Sequence, residues 1–251
     1  MRTLKFTIAY DGTAYAGWQC QPDRISVQET LENAMARITG ERNRTLASGR
    51  TDAGVHALGQ VVAMRTESTL SVETMRRALN ANLPDDIAVL DAVEAPDDFH
   101  AISHVRRKRY RYVIDDGPVR DVFTRHYAWH YDRGRLDAEA MRLASAALWG
   151  THDFSSFESS GAPRATSVRT VFELLVERDG DRITIEIEAD GFLYNMVRAI
   201  VGTLVEVGRG RRSESWPGEV LAARDRAAAG PTAPPQGLFL VRVEYRPVAP
   251  D

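Results

Sequence analysis

An arginine, a threonine and an aspartate stand together in Gly49-Arg50-Thr51-Asp52-Ala53-Gly54-Val55-His56, a glycine-punctuated loop that follows a strand-like segment. Loops at the ends of strands are a usual location for catalytic groups, and Asp52 beside Arg50 sets an acid next to a base there. Spacing alone favours a plainer account, a turn in which Asp52 caps backbone amides and Arg50 is a solvated neighbour. A second candidate is the run Val105 to Ile114. Strand alternation sends Lys108, Tyr110, Tyr112 and Ile114 to one face and Arg107, Arg109, Arg111 and Val113 to the other. Cations beside aromatics suit unstacked nucleic acid, with arginine on phosphate and a tyrosine ring on a base. A strand with its tyrosines in the core and its arginines in water fits the same pattern equally well.

Other chemistries find less support. His100 and His104, and His126 and His130, have a four-residue spacing that ligates zinc on a helix, but neither segment has a helical pattern, and structural histidines are expected. No Walker-type phosphate loop, Gly-x-Gly-x-x-Gly turn or Gly-x-Ser-x-Gly elbow is present, which removes support from nucleotide-driven and serine-hydrolase chemistry. Arg198 lies within an apolar helical stripe that includes Met196, Ile200 and Leu204. An arginine placed there needs a carboxylate partner, unless it sits at the edge with its stem buried and its head in water.

These residues need elements to position them. Leu4, Phe6, Ile8 and Tyr10 alternate with polar or small residues and form a first strand that ends at Asp11-Gly12. Ser26-Val27-Gln28-Glu29 reads as a capping box that opens a helix with Leu31, Ala34, Met35 and Ile38 on one face and Gly40 as its stop. Strands follow around 44–47 and 61–64, then a helix from Ser71 and a strand from Ile87 to Val93. The second half repeats the order: strand Val105 to Ile114, helix Asp137 to Trp149, and strands Ser167 to Glu177 and Arg182 to Glu188 joined at Asp179-Gly180. A helix from Leu193 to Val207 and a strand from Leu238 to Tyr245 complete it. A short helix from Glu219 to Ala228 and a linker, Gly230 to Pro235, lie before that last strand. The expected class is α+β, two βαββαβ ferredoxin-like halves with mainly antiparallel sheets flanked by helices, spanning residues 1–103 and 104–251.

The chain has 251 residues, 43% apolar and 27% charged, which fits a folded globular protein. Its net charge of −3 advertises no nucleic-acid binding by itself, although binding needs only a local patch. Cys20 is the single cysteine, which excludes an internal disulfide and any Cys-based zinc cluster and points to the cytoplasm. No apolar run is long enough to span a bilayer, and the N-terminal residues lack the form of a signal peptide, so no membrane association is expected.

The ordered set of motifs resembles the tRNA pseudouridine synthase A family. It runs from Tyr10-Asp11-Gly12-Thr13-Ala14-Tyr15-Ala16-Gly17-Trp18-Gln19 through Ser26-Val27-Gln28, the Gly49-to-Ala57 loop, Asn80-Ala81-Asn82-Leu83-Pro84 and Asp97-Asp98-Phe99-His100-Ala101. It continues with Arg109-Tyr110-Arg111-Tyr112, His152-Asp153-Phe154, Gly191-Phe192-Leu193-Tyr194-Asn195-Met196-Val197-Arg198 and Gly237-Leu238-Phe239-Leu240. The resemblance implies a homodimeric isomerase that converts uridine to pseudouridine in the anticodon stem-loop of tRNA, without metal, nucleotide or organic cofactor. It implies Asp52 as the essential aspartate, Tyr110 as the ring on the target uracil, Arg198 as the partner of the Asp52 carboxylate and Arg50 as a support for the extruded nucleotide. Arg107, Arg109 and Arg111 are then candidate RNA contacts, and a cleft between the halves is the expected active site. One departure is visible: where the family usually continues Phe-His-Ala with an arginine, this chain has Ile102. The RNA contact expected there would fall to Arg106 or Arg107.

Overall fold

The computed structural model describes residues 1–161 and 165–246. In chain order the first elements are β1 (Arg2–Tyr10), α1 (Val27–Thr39), β2 (Leu46–Ala47), β3 (His56–Thr66), α2 (Val72–Asn82) and β4 (Ile87–Ala95). Then come β5 (Val105–Asp115), β6 (Trp129–His130), α3 (Ala138–Ser145), β7 (Gly150–Asp153), β8 (Val168–Asp179), β9 (Arg182–Ala189), α4 (Met196–Gly208), α5 (Trp216–Ala223) and β10 (Leu238–Tyr245). The class is α+β with mainly antiparallel pairing. Two compact units divide the chain: Met1–Arg106 together with the segment from Phe239, and Arg107–Leu238.

In the first unit β1 is central, antiparallel to β3 on one side and to β4 on the other. The free side of β3 takes β2 antiparallel, at Leu46↔Ala63, and β10 parallel, at Phe239↔His56 and Leu240↔Ala57. Sequence order alone would leave β10 as the closing strand of the second repeat; this pairing ties it, from Phe239, to the first unit. The alternation in β1 sends Leu4, Phe6 and Ile8 into a core shared with Leu31, Met35, Met75 and Leu79 of the helices, all at most 1% exposed. The local signals work as read. Ser26 Oγ accepts the Glu29 amide at the start of α1, and Gly40 closes it in the left-handed region at φ 75°.

In the second unit β9 lies between β5 and β8, antiparallel to both, and β7 pairs with the far side of β8. The β8–β9 hairpin closes at the Asp179↔Arg182 pair, with Gly180 at φ 58° in the turn. Two helices depart from their sequence patterns, and α5 starts at Trp216, three residues before the expected Glu219. α3 yields to a 3-10 turn at Ala146–Leu148, and α5 is followed by one at Arg226–Ala228. Helix α4 begins at Met196, not Leu193, because Asn195 sits in the left-handed region at φ 61°. Nor is Gly230 to Pro235 a loose linker: the Gly230 amide donates to Thr203 Oγ1 at 3.0 Å and the Ala233 amide to the Arg198 carbonyl at 3.0 Å. These bonds strap the segment along α4.

Past β5, Asp116 accepts Arg178 Nη1 and Nη2 at 2.9 and 2.7 Å and the Leu136 amide at 2.8 Å. Burial works to raise the Asp116 carboxyl, but the Arg178 and Leu136 hydrogen bonds and the Arg178 charge outweigh it and hold the group below the usual carboxylate range. A carboxyl depressed in this way contributes stability above its unfolded-state pKa of about 4 and loses it as the pH falls through the folded-state value. Asp116→Asn is therefore expected to destabilise the protein by about 3 to 5 kcal/mol at neutral pH, because Arg178 is left uncompensated. The variant's urea midpoint should also fall less steeply than the parent's below about pH 4. Parallel pH series of urea melts check both effects.

Candidate active site

The loop that carries Asp52 is held from below by the first motif of the chain. The Trp18 amide donates to the Thr51 carbonyl at 3.0 Å, and the Val55 amide donates to the Asp52 carbonyl at 3.1 Å. Tyr10 OH and Thr51 Oγ1 are 2.8 Å apart, both buried. Burial pushes the Tyr10 hydroxyl up to about 12 against the lowering effect of Thr51 and Gln60, so it stays a neutral hydrogen-bonding group at physiological pH. The Gly12 amide meets His56 Nδ1 at 3.0 Å, and that nitrogen lies 3.1 Å from Asp11 Oδ1. The buried His56 ring stacks on Phe239 with centroids 4.8 Å apart, which fastens the loop's exit to β10.

Two glycines make this approach possible. A Cβ at Gly17, whose φ is +94°, would lie 2.6 Å from the Thr51 carbonyl oxygen and 3.1 Å from the carbonyl carbon of Asp52. A Cβ at Gly12 would lie 2.0 Å from the Val55 carbonyl oxygen. Backbone meets backbone at both points, so no side-chain rearrangement relieves the overlap. Asp52 itself is half-buried and Arg50 is exposed. The arrangement presents a carboxylate on a rigid loop beside an accessible cation, which suits nucleophilic or general-base chemistry on a bound substrate.

In the second unit Arg198 is fixed by two acceptors. Its Nε donates to the Ala233 carbonyl at 2.7 Å and its Nη1 to Asn195 Oδ1 at 2.9 Å. Asn tolerates the left-handed backbone that the start of α4 requires and supplies that acceptor with its side chain. Tyr112 donates its hydroxyl to the Pro234 carbonyl at 2.7 Å, so the same strap also secures β5. Tyr110 is buried, and its ring stands at 80° to Phe192 with centroids 4.9 Å apart. Sequence reasoning did not single out Asn195, Ala233 or Pro234 for these roles, because two of them act through backbone carbonyls that any residue possesses.

The arginine face of β5 differs from either alternative drawn from its alternation. Its tyrosine face is core, as one of them had it, but the arginines, partly exposed at Arg107 and Arg111, also pair with carboxylates on β9 and β8. Arg107 bonds Glu188 at 3.0 Å, Arg111 bonds Glu186 at 2.7 Å, and Arg109 engages Glu186, Glu188 and Glu173 together. Burial works against the Arg109 charge, yet the three carboxylates outweigh it and raise its pKa. Arg107 also stacks on Phe172, 4.3 Å from the ring centre.

Among the described residues no group of three His, Cys, Asp or Glu side chains converges to hold a metal ion. His100 Nδ1 instead accepts the amides of Ile102 and Ser103, each at 3.2 Å, and closes a turn. No helix of the described residues is long and apolar enough to cross a membrane.

A family model described as tRNA pseudouridine synthase matches residues 7–102 and 144–246, which include Asp52, Tyr10, Gly12, Gly17 and Arg198. The tRNA pseudouridine synthase A of Moorella thermoacetica is 51% identical over 98% of this chain and the whole of that protein. That of Brevibacillus brevis is 48% identical and that of Thermoanaerobacter sp. (strain X514) 46% identical, over the same shares. Among solved structures, the archaeal box H/ACA sRNP Nop10-Cbf5 complex is similar at a TM-score of 0.35 and 12% identity, over 80% of this chain and 43% of that one. With a matching family model over most of its length and full-length relatives at this identity, the chain belongs to the tRNA pseudouridine synthase family.

Proposed function

We propose that this chain isomerises uridine to pseudouridine in the anticodon stem-loop of tRNA, with Asp52 as the essential carboxylate and no cofactor. The observation that carries this reading is the Asp52 loop, clamped by Trp18, Tyr10 and the two glycine approaches in a member of this family. The reaction breaks the C1′–N1 bond, turns the freed uracil in place and rejoins it through C5; the proton displaced from C5 leaves to solvent and N1 takes up a proton in its place. No redox change or hydrolysis takes place. A single carboxylate can begin it by attacking C1′, by adding to C6 or by removing a sugar proton. Arg198 is assigned as the cation that pairs with the Asp52 carboxylate when substrate excludes water.

A base inside a stem or loop must leave its stack before such chemistry can start. Tyr110, with its ring fixed at right angles to Phe192, is assigned as the surface that receives the uracil, and exposed Arg50 as the group that holds the extruded nucleotide. Of Arg107, Arg109 and Arg111 on β5, Arg109 is committed to its carboxylates. The reading keeps Arg107 and Arg111 as phosphate contacts, their side chains 33% and 41% exposed. We further assign the working form as a cytoplasmic homodimer.

Two outcomes follow from these assignments. Asp52→Asn keeps the size of the side chain and removes its charge and nucleophilicity, so tritium release from tRNA labelled at uridine C5 should vanish while tRNA affinity persists. A folded Asn variant that still releases tritium would remove Asp52 from the chemistry, and free uracil in the parent's products would point to glycoside hydrolysis instead. On β5, Arg111→Ala should lower the slope of log affinity against log salt by about one with little change in stability. Arg109→Ala should leave that slope near the parent's and lose about 1 to 3 kcal/mol, because Glu173 loses Arg109 and Glu188 and Glu186 keep only their bonds to Arg107 and Arg111 from β5. Salt titrations of tRNA binding and urea melts of both variants decide between an RNA-facing and a structural role for each.

A further inference from the structure

Beneath the Asp52 loop lies a buried amide that the reaction scheme does not use. Gln60, on β3, has no solvent exposure and sits opposite Ile8 of β1. From Tyr10↔Ala57 to Ile8↔Gln60 the register gains one residue on β3, a bulge beside the loop. Bulges re-aim side chains near functional sites. Here Gln60 is brought to the same side as Tyr10, with which it shares a hydrogen bond.

A buried amide is costly in a core unless its polar atoms are bonded, and an apolar side chain of similar volume would fill this strand position without that cost. The polar atoms of Gln60 are directed at the entrance to the loop. Oε1 accepts Ser48 Oγ at 2.6 Å, and Nε2 donates to the Gly49 carbonyl at 2.8 Å. Ser48 is still in register, its amide on the Val61 carbonyl at 2.8 Å; at Gly49 the chain leaves the sheet. The Gly49 carbonyl is thus bonded by a side chain at the point where strand pairing ends. Through Tyr10 the same amide supports Thr51, the residue before Asp52.

We propose that Gln60 is a positioning residue for the isomerisation: its Nε2 donor on the Gly49 carbonyl and its contact with Tyr10 fix the height of the loop that presents Asp52. The inference rests on the reading that Asp52 is the essential carboxylate. Loss of the donor frees the Gly49 carbonyl and lets the loop move by a fraction of an ångström to an ångström, which in a preorganised site lowers turnover on the order of a hundredfold without changing phosphate contacts.

The test uses the full chain, unmodified tRNA labelled at uridine C5, and assays below the melting midpoint of every variant. Gln60→Met fills the space but has no donor; it should lower kcat about a hundredfold at every pH, with KM for tRNA within about threefold of the parent's. Gln60→Glu places a carboxyl in a buried site, where its pKa rises. Ionised, it repels the Gly49 carbonyl; protonated, its O–H can donate to that oxygen. The ratio of its kcat to the parent's should therefore climb at least tenfold from pH 8.5 to pH 6, while the Gln60→Met ratio stays flat. A parental kcat in folded Gln60→Met, or a flat Gln60→Glu ratio in a folded protein, would overturn the proposal. Should one variant fail to fold, the other decides by the same criterion. A parent that releases no tritium would instead sink the isomerase reading, so the two failures are distinguishable.

Discussion

Backbone-to-backbone approach at Gly12 and Gly17 is the constraint on which the candidate site depends. Side chains in a packed interior can adjust to a poor fit by changing rotamer, but a carbonyl oxygen facing a neighbouring main chain has no such freedom. With a Cβ at Gly17 only 2.6 Å from the Thr51 oxygen, the Trp18 amide could not stay within hydrogen-bonding reach of that oxygen. The Tyr10–Thr51 bond and the His56 contacts with Gly12 and Phe239 complete the clamp from other directions. β1, the start of β3 and β10 thus serve one purpose in the first unit, to hold a short irregular segment as firmly as a strand.

The second unit shows the same economy in a different form. Arg198 and Tyr112 both depend on carbonyls of one non-helical segment, Ala233 and Pro234, which α4 holds in return through Thr203 and the Arg198 carbonyl. On the other face of β5, alternating Arg and Glu across β5, β9 and β8 form a ladder in which charges are largely matched within the sheet. Such pairing restrains the strands more than it advertises a basic surface, because a paired guanidinium has less charge to offer a phosphate.

Much of the fold was legible in the sequence because its signals are local. Ser26 and Gly40 bound α1, Ser71 opens α2, and Asp179-Gly180 turns β8 into β9 through chemistry contained in a few neighbouring residues. The misreadings come from tertiary contacts that no local pattern encodes. Leu193 belongs to the apolar stripe of α4, yet the helix starts at Met196 because Asn195 turns out of it to hold Arg198. Proline and glycine made Gly230 to Pro235 look like a linker, whereas its amides and carbonyls are bonded to α4 and β5. The candidate site was legible in part: the Asp52 loop stood out by its glycines and charges, but Gln60 resembles any polar residue in a strand until the bulge and its burial are seen.

The claim that a close main-chain approach holds the Asp52 loop is tested most directly at Gly17. Gly17→Ala adds one methyl group far smaller than any RNA contact and removes no functional group. Single-turnover tritium release by the folded variant, saturated with unmodified tRNA, should be slower than the parent's on the order of a hundredfold, with tRNA affinity within about threefold. A folded Gly17→Ala protein that turns over at the parental rate would contradict the account, since Asp52 would then reach its working position without the approach.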